Sequence, residues 1–225
     1  MTITTCIFDA YGTLFDVNAA AEQAAQEPVN ATLATVWPTL AKDWRQNHLE
    51  YTWLRAVADR HCDFWQVTGD GLDWAMEAQG LSDTGLRERL MDLYRTLPAY
   101  PEVPAMLAAL KARGMNTAIL SNGSPDMLGD AVTSAGIGDS LDAVLSVENV
   151  SVFKPHARVY ELVGGEFNCA PDEVLVVSSN GWEAAGAAGY GFRTVWVNRA
   201  GAPMDRLYAS PHHTLSDLTT IADLT

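Results

Sequence analysis

A short run of apolar residues, Cys6-Ile7-Phe8, ends abruptly in a carboxylate, Asp9, and then in a turn. Such a run is what a parallel strand buries on both faces, and its polar ending marks where the backbone leaves the sheet. Gly12 permits a tight turn there, and Thr13 supplies a hydroxyl close behind it. In open α/β sheets, ligands bind at the carboxyl ends of the strands, so Asp9 is placed for chemistry. The competing role for an Asp after a strand is to cap the next helix. The rest of the chain decides between the two.

After Phe15 the pattern changes. From about Asn18 to about Tyr94 the spacing predicts helices over 33–48, 49–60, 64–79 and 84–94, with almost no β-branched runs. Trp37, Trp44, Tyr51, Trp53, Trp65 and Trp74 fall in this stretch and read as helix-bundle core. From Pro98 the chain alternates between strand and helix to its end. Helices are expected over 103–113, 126–135, 157–167 and 184–190, with strands over 116–120, 143–146, 174–177 and 194–197. Such alternation implies crossovers and a parallel sheet. The first strand therefore belongs to a sheet completed only after a helical insertion of domain size. The expected organisation is a core of residues 1–16 and 95–225, with a helical domain over 17–94.

The 225 residues suffice for a substantial buried core. A formal charge of −14 argues against nucleic acid and against anionic membrane surfaces as partners. It leaves room for a small anionic substrate, because one Arg or Lys in a cleft outweighs a diffuse surface field. Cys6, Cys62 and Cys169 are odd in number and widely spaced, the usage of free thiols in a reducing compartment. With no basic and apolar leader at the start and no run of membrane-spanning length, a cytoplasmic location is expected.

What stands at the strand ends is distinctive. In chain order these are Asp9, then Ser121-Asn122, then Lys154 shortly after the third strand, then Ser178-Ser179-Asn180. A doubly wound sheet lays those ends side by side, so a carboxylate, an ammonium, hydroxyls and amides converge in one crevice. Individually, Ser and Asn begin turns and a Lys before Pro lies in a solvated loop. His48 and His61 read as helix-face residues, His212-His213 as a surface loop, and the acidic residues of 82–92 as a solvated helix face.

The pattern resembles the haloacid dehalogenase superfamily, with its Asp nucleophile after the first strand, a later Ser or Thr, and then a Lys. Within it, the chain is similar to the L-2-haloacid dehalogenases. The resemblance spans almost the whole chain. It rests on Phe8-Asp9-Ala10-Tyr11-Gly12-Thr13-Leu14-Phe15-Asp16-Val17, Trp44-Arg45-Gln46 with Leu49-Glu50-Tyr51-Thr52-Trp53-Leu54-Arg55, and Leu120-Ser121-Asn122-Gly123-Ser124-Pro125. Lys154-Pro155 with Arg158-Val159-Tyr160-Glu161, and Ser178-Ser179-Asn180 with Trp182, complete it. It implies a doubly wound α/β sheet, a Rossmann-like core, with an inserted helical cap domain, and a homodimer.

The superfamily's phosphatases carry a second Asp two residues after the nucleophile and a late acidic pair that helps hold Mg²⁺. Here the first position is Tyr11, and in the stretch from Ser178 to Glu183 the last residue is the only carboxylate. A hard-cation site is poorly furnished, and neither metal nor other cofactor is expected.

By resemblance, Asp9 displaces halide from C2 of a short (S)-2-haloalkanoate to form an ester. Lys154, Thr13 and Ser178 hold and orient the carboxylate, and Arg45 stabilises the departing halide. Tyr11, Leu49, Phe64, Asn122 and Trp182 line the halogen and alkyl pocket. Backbone amides near Ala10 and Tyr11, with Ser121, hold the substrate carboxylate. Tyr160, a helical turn past Lys154, positions it or the substrate. Water then hydrolyses the ester to the (R)-2-hydroxy acid, with Glu183 as base and Asn180 beside it. Here the sequence departs from the family, which has Asp where this chain has Glu183. The alternatives are a phosphatase of the superfamily or a small-acid-binding relative stalled at the ester.

Overall fold

A computed structural model describes residues 2–225. Six strands form one parallel sheet: β1 (Thr5–Phe8), β2 (Asn116–Ser121), β3 (Ala143–Ser146), β4 (Val174–Ser178), β5 (Arg193–Val197) and β6 (His213–Leu215). Their order across the sheet is β3-β2-β1-β4-β5-β6. The strand order reverses direction at β1, so the crevice expected of a doubly wound sheet opens at its carboxyl end. All four β1 residues are buried, as its unbroken apolar run requires. Phe8 pairs with Ile119 on one side and Val177 on the other. That register brings Asp9 off the sheet level with Leu120 and Ser178.

Four helices lie between β1 and β2 in the chain: α1 (Ala19–Ala25), α2 (Ala31–Ala58), α3 (Phe64–Ala78) and α4 (Thr84–Arg95). Asp63 starts α3 by accepting from the Trp65 amide at 2.7 Å, and Asp83 starts α4 by accepting from Gly85 and Leu86. α2 and α3 approach closely at Gly71, where a Cβ would stand 3.2 Å from the His48 backbone nitrogen. Trp44 Nε1 donates to the Thr68 carbonyl at 2.9 Å, and His48, wholly buried, sits 3.0 Å from Thr68 Oγ1. These contacts fix the rotation of α2 and hence the direction of Arg45, the residue after Trp44. The remaining helices, α5 (Val103–Ala112), α6 (Pro125–Ala135), α7 (Ala157–Phe167) and α8 (Gly181–Tyr190), alternate with the strands. No helix among the described residues is long and apolar enough to cross a membrane.

The structure corrects several expectations. The helices expected over 33–48 and 49–60 are one, α2, because no Gly or Pro separates His48 from Leu49. It also carries Pro38 in its interior, at the loss of one backbone hydrogen bond. A sixth strand was not expected: His213–Leu215 is short, polar and at the sheet edge, and so has no apolar signature. His213 therefore begins a strand rather than lying in a loop, and His212 Nδ1 lies 3.2 Å from both the amide and the hydroxyl of Thr194. His61 lies between α2 and α3, not on a helix face, and pairs with Glu148 at 3.0 Å. Of the aromatic residues read as bundle core, Trp44 is buried and Trp74 is exposed.

Candidate active site

Asp9 is 6% exposed, and each of its oxygens is held. Oδ1 accepts from Lys154 Nζ at 3.2 Å; Oδ2 accepts from Thr13 Oγ1 at 3.0 Å and from Asn180 Nδ2 at 3.1 Å. Thr13 is in turn fixed by the Ser179 amide, which donates to its Oγ1 at 2.8 Å. The turn between Asp9 and Thr13 needs Gly12, at φ 89°, where a Cβ would also stand 3.1 Å from Ser179 Oγ. The amides of Ala10 and Tyr11 donate to no acceptor among the described residues.

Lys154 is 1% exposed and surrounded by acceptors. Besides Asp9, Nζ donates to Glu183 Oε1 and to the Leu120 carbonyl at 2.5 Å. Its backbone amide donates to Asn122 Oδ1 at 3.0 Å, tying the Lys154 loop to the end of β2. Burial opposes its charge, but Asp9 and Glu183 outweigh that and hold the ammonium above its ordinary range. Glu183, also 1% exposed, sits in the first turn of α8 and accepts from Ser178 Oγ at 3.0 Å with its other oxygen. Burial first, and the nearby Asp9 charge second, push its carboxyl up to about 7 against the pull of Lys154 and Ser178.

Arg45 reaches down from α2 to the sheet. Its Nη2 donates to the Tyr11 carbonyl at 3.0 Å and to Asn180 Oδ1 at 3.1 Å. Asp9, Tyr11, Arg45, Leu49, Phe64, Ser121, Asn122, Lys154, Asn180, Trp182 and Glu183 together enclose a cavity of about 10 Å³, room for roughly one water. The Tyr11 ring stacks on Tyr94 at 5.4 Å and leans on Phe64 at 6.0 Å, so one wall is aromatic. Burial drives the Tyr11 phenol well above its ordinary range, which keeps it protonated. No cluster of three or more His, Cys, Asp or Glu suited to a metal occurs among the described residues.

The geometry thus brings together nearly all the residues singled out from the sequence. Thr13 donates to Asp9 and Ser178 to Glu183, and Ala10 is buried at the same turn as Thr13. Ser121 Oγ accepts from the Gly123 amide at 3.0 Å and faces the cavity. Tyr160 is the exception. Helix α7 begins at Ala157, beyond Lys154, and the Tyr160 hydroxyl is buried with no hydrogen-bond partner among the described residues. It packs toward Gly186 on α8 instead of holding Lys154. Ser179, placed at the strand end by the sequence but given no role there, fixes Thr13; the Leu120 carbonyl was missed, being a backbone acceptor with no signature in residue type.

A family model described as haloacid dehalogenase-like hydrolase matches residues 3–191. The chain is 42% identical to (S)-2-haloacid dehalogenase 1 of Pseudomonas sp. (strain CBS-3), over 99% of this chain and 96% of that one. Among solved structures, a dehalogenase with an intermediate complex is similar at a TM-score of 0.94 and 37% identity, covering 99% of this chain and 97% of its own. The L-2-haloacid dehalogenase of Xanthobacter autotrophicus with chloropropionic acid covalently bound is similar at a TM-score of 0.88 and 35% identity, covering 99% and 98%.

Proposed function

The chain belongs to the haloacid dehalogenase-like hydrolases, among the (S)-2-haloacid dehalogenases, and on that premise we propose that it converts short (S)-2-haloalkanoates to (R)-2-hydroxy acids through an ester on Asp9. The observation that carries this reading is a buried carboxylate, paired with a buried ammonium at 3.2 Å, facing a cavity with an aromatic wall and one arginine. A carboxylate is a modest nucleophile, and removing it from water strengthens it. Oδ1 carries one hydrogen bond against two on Oδ2, so Oδ1 is the freer oxygen to attack.

In the first step Oδ1 attacks C2 opposite the halogen. The C–O bond forms as the C–halogen bond breaks, the centre inverts, and the halide leaves with the bonding pair. The Arg45 guanidinium is the cation available to that developing charge. The free amides of Ala10 and Tyr11, with Ser121, suit the substrate carboxylate. In the second step water attacks Cγ of the Asp9 ester while Glu183 takes one of its protons; the Cγ–O bond to the product then breaks, the product oxygen takes the other proton, and the hydroxy acid leaves a restored Asp9 carboxylate. The cavity already has room for one water. Substrate needs more space than that, so the side chains enclosing the cavity must move aside when it binds.

The reading is metal-independent. It is supported by Tyr11, a neutral phenol, two residues after Asp9, and by Glu183 being committed to Lys154 and Ser178. The division into a core of 1–16 and 95–225 and a cap of 17–94, and a cytoplasmic location, belong to the same proposal. So does a homodimer, motivated by the exposed apolar Val29 and Trp74 and checked by sedimentation velocity.

The direct test is halide release from (S)- and (R)-2-chloropropionate, with EDTA present, by wild type and Asp9→Asn. Release from the (S) substrate alone, insensitive to EDTA and lost in the variant, is the expected result. No release, together with Mg²⁺-dependent hydrolysis of a phosphate ester, would overturn the reading in favour of a phosphatase. Accumulation of the ester without product would mark a stalled small-acid-binding relative.

A further inference from the structure

The active-site cavity adjoins two larger spaces, one of mixed lining and one almost wholly apolar. One, of about 360 Å³, carries Arg45, Asn180, Asn198, Arg199 and Asp205. The other, of about 550 Å³, is lined by Trp53 and Val57 of α2, Phe153, Pro155, Trp182 and Leu207, among others. Trp182 lines all three spaces, whereas Lys154 lines the inner cavity and the apolar groove but not the other, so these two residues stand between cavity and groove. Trp53 stands edge-on to Trp182 at 5.3 Å, and the groove begins at that pair.

From this we infer that the groove is a subsite for the alkyl tail of longer, unbranched 2-haloalkanoates, with the Trp182 indole as its inner gate. The inference rests on the dehalogenase reading and extends it to a substrate class. The inner cavity, with room for about one water, must widen even for the shortest acid, and the added carbons of a longer tail need the space of a neighbouring groove. Through the mixed space a tail would pass two guanidiniums and a carboxylate set among apolar residues; through the larger apolar one it lies against rings and aliphatic carbon almost throughout. The indole Nε1 of Trp182 is buried with no acceptor among the described residues, so no hydrogen bond pins the ring in place. Across the groove, Val57 is 90% and Leu207 46% exposed, apolar surface that a bound chain would cover.

The test is a series of (S)-2-chloro acids from propionate to octanoate, with kcat/KM measured on wild type, Val57→Asp and Leu207→Asp. Each methylene entering the groove is expected to raise kcat/KM by roughly threefold in wild type. A carboxylate placed on either wall is expected to lower the octanoate-to-propionate ratio at least tenfold. Propionate turned over with a flat or falling series, or ratios unchanged in both variants, would overturn the groove while leaving the dehalogenase reading intact. A switch from dimer to monomer in Val57→Asp with an unchanged ratio would also overturn it, assigning this face to a second copy of the chain. No chloride from any acid, propionate included, would overturn the dehalogenase reading and the groove together.

Discussion

Asp9 and Glu183 share one cation: the Lys154 ammonium donates at 3.2 Å to Oδ1 of Asp9 and also to Oε1 of Glu183. Two buried carboxylates so close to one another would repel strongly without it. The arrangement links the proposed half-reactions. Once Asp9 becomes an ester its charge is gone, and Lys154 is left to Glu183 alone.

That link sets a pH dependence. In the free enzyme burial, and then the Asp9 charge, lift Glu183 to about 7. Esterification removes the second cause, so Glu183 in the intermediate titrates below that value. The base works only when deprotonated, so single-turnover ester hydrolysis is expected to slow as pH falls, with its midpoint below about 7. Stopped-flow measurement of product formation between pH 5 and 8 checks this; a flat profile, or one falling toward alkaline pH, would contradict it.

Glu183→Gln keeps the size of the side chain and its contact with Ser178, and removes the base. Halide release is expected to show a burst of about one per site, followed by turnover slowed at least a hundredfold. Intact-protein mass spectrometry would then find the acyl adduct. Absence of the adduct with normal turnover would place the base elsewhere.

Lys154→Met leaves Asp9 and Glu183 buried with no cation in contact with either. Turnover is expected to drop by at least about 10³-fold, and stability at pH 8 by about 3–5 kcal/mol. The pH sign follows from Glu183. Its folded-state carboxyl already lies above the unfolded value of 4.5, and losing Lys154 raises it further. The folded variant then holds a proton that the unfolded chain has lost, so stability declines as pH rises from about 5. Denaturant midpoints at pH 5 and pH 8 measure it; a variant equally stable at both would refute the shared-cation account.

Much of this site is visible in the sequence because parallel strands are apolar until they end. Asp9, Ser121-Asn122 and Ser178–Asn180 stand out as the first polar residues after buried runs, and the sheet order sets them side by side. Arg45 is less accessible to such reasoning, since its direction depends on α2 being locked to α3 through Trp44, His48 and Gly71. The helix carrying Tyr160 was expected where it stands, over 157–167, but spacing along the chain does not say which way a side chain on it turns, and Tyr160 makes no hydrogen bond to Lys154. β6 and the unbroken α2 were missed for opposite reasons, one lacking an apolar signature and the other lacking a break. The three-way contact of Asp9, Lys154 and Glu183 joins residues far apart in the chain, and no local pattern announces it.

The most direct test of the covalent route is a single turnover of (S)-2-chloropropionate by excess enzyme in ¹⁸O-water. Attack by Asp9 puts a protein oxygen into the product, and hydrolysis at Cγ puts a solvent oxygen into the enzyme. The expected result is unlabelled lactate and a peptide containing Asp9 heavier by one ¹⁸O. Labelled lactate with an unlabelled peptide would mean that water attacks C2 directly, and would contradict the account.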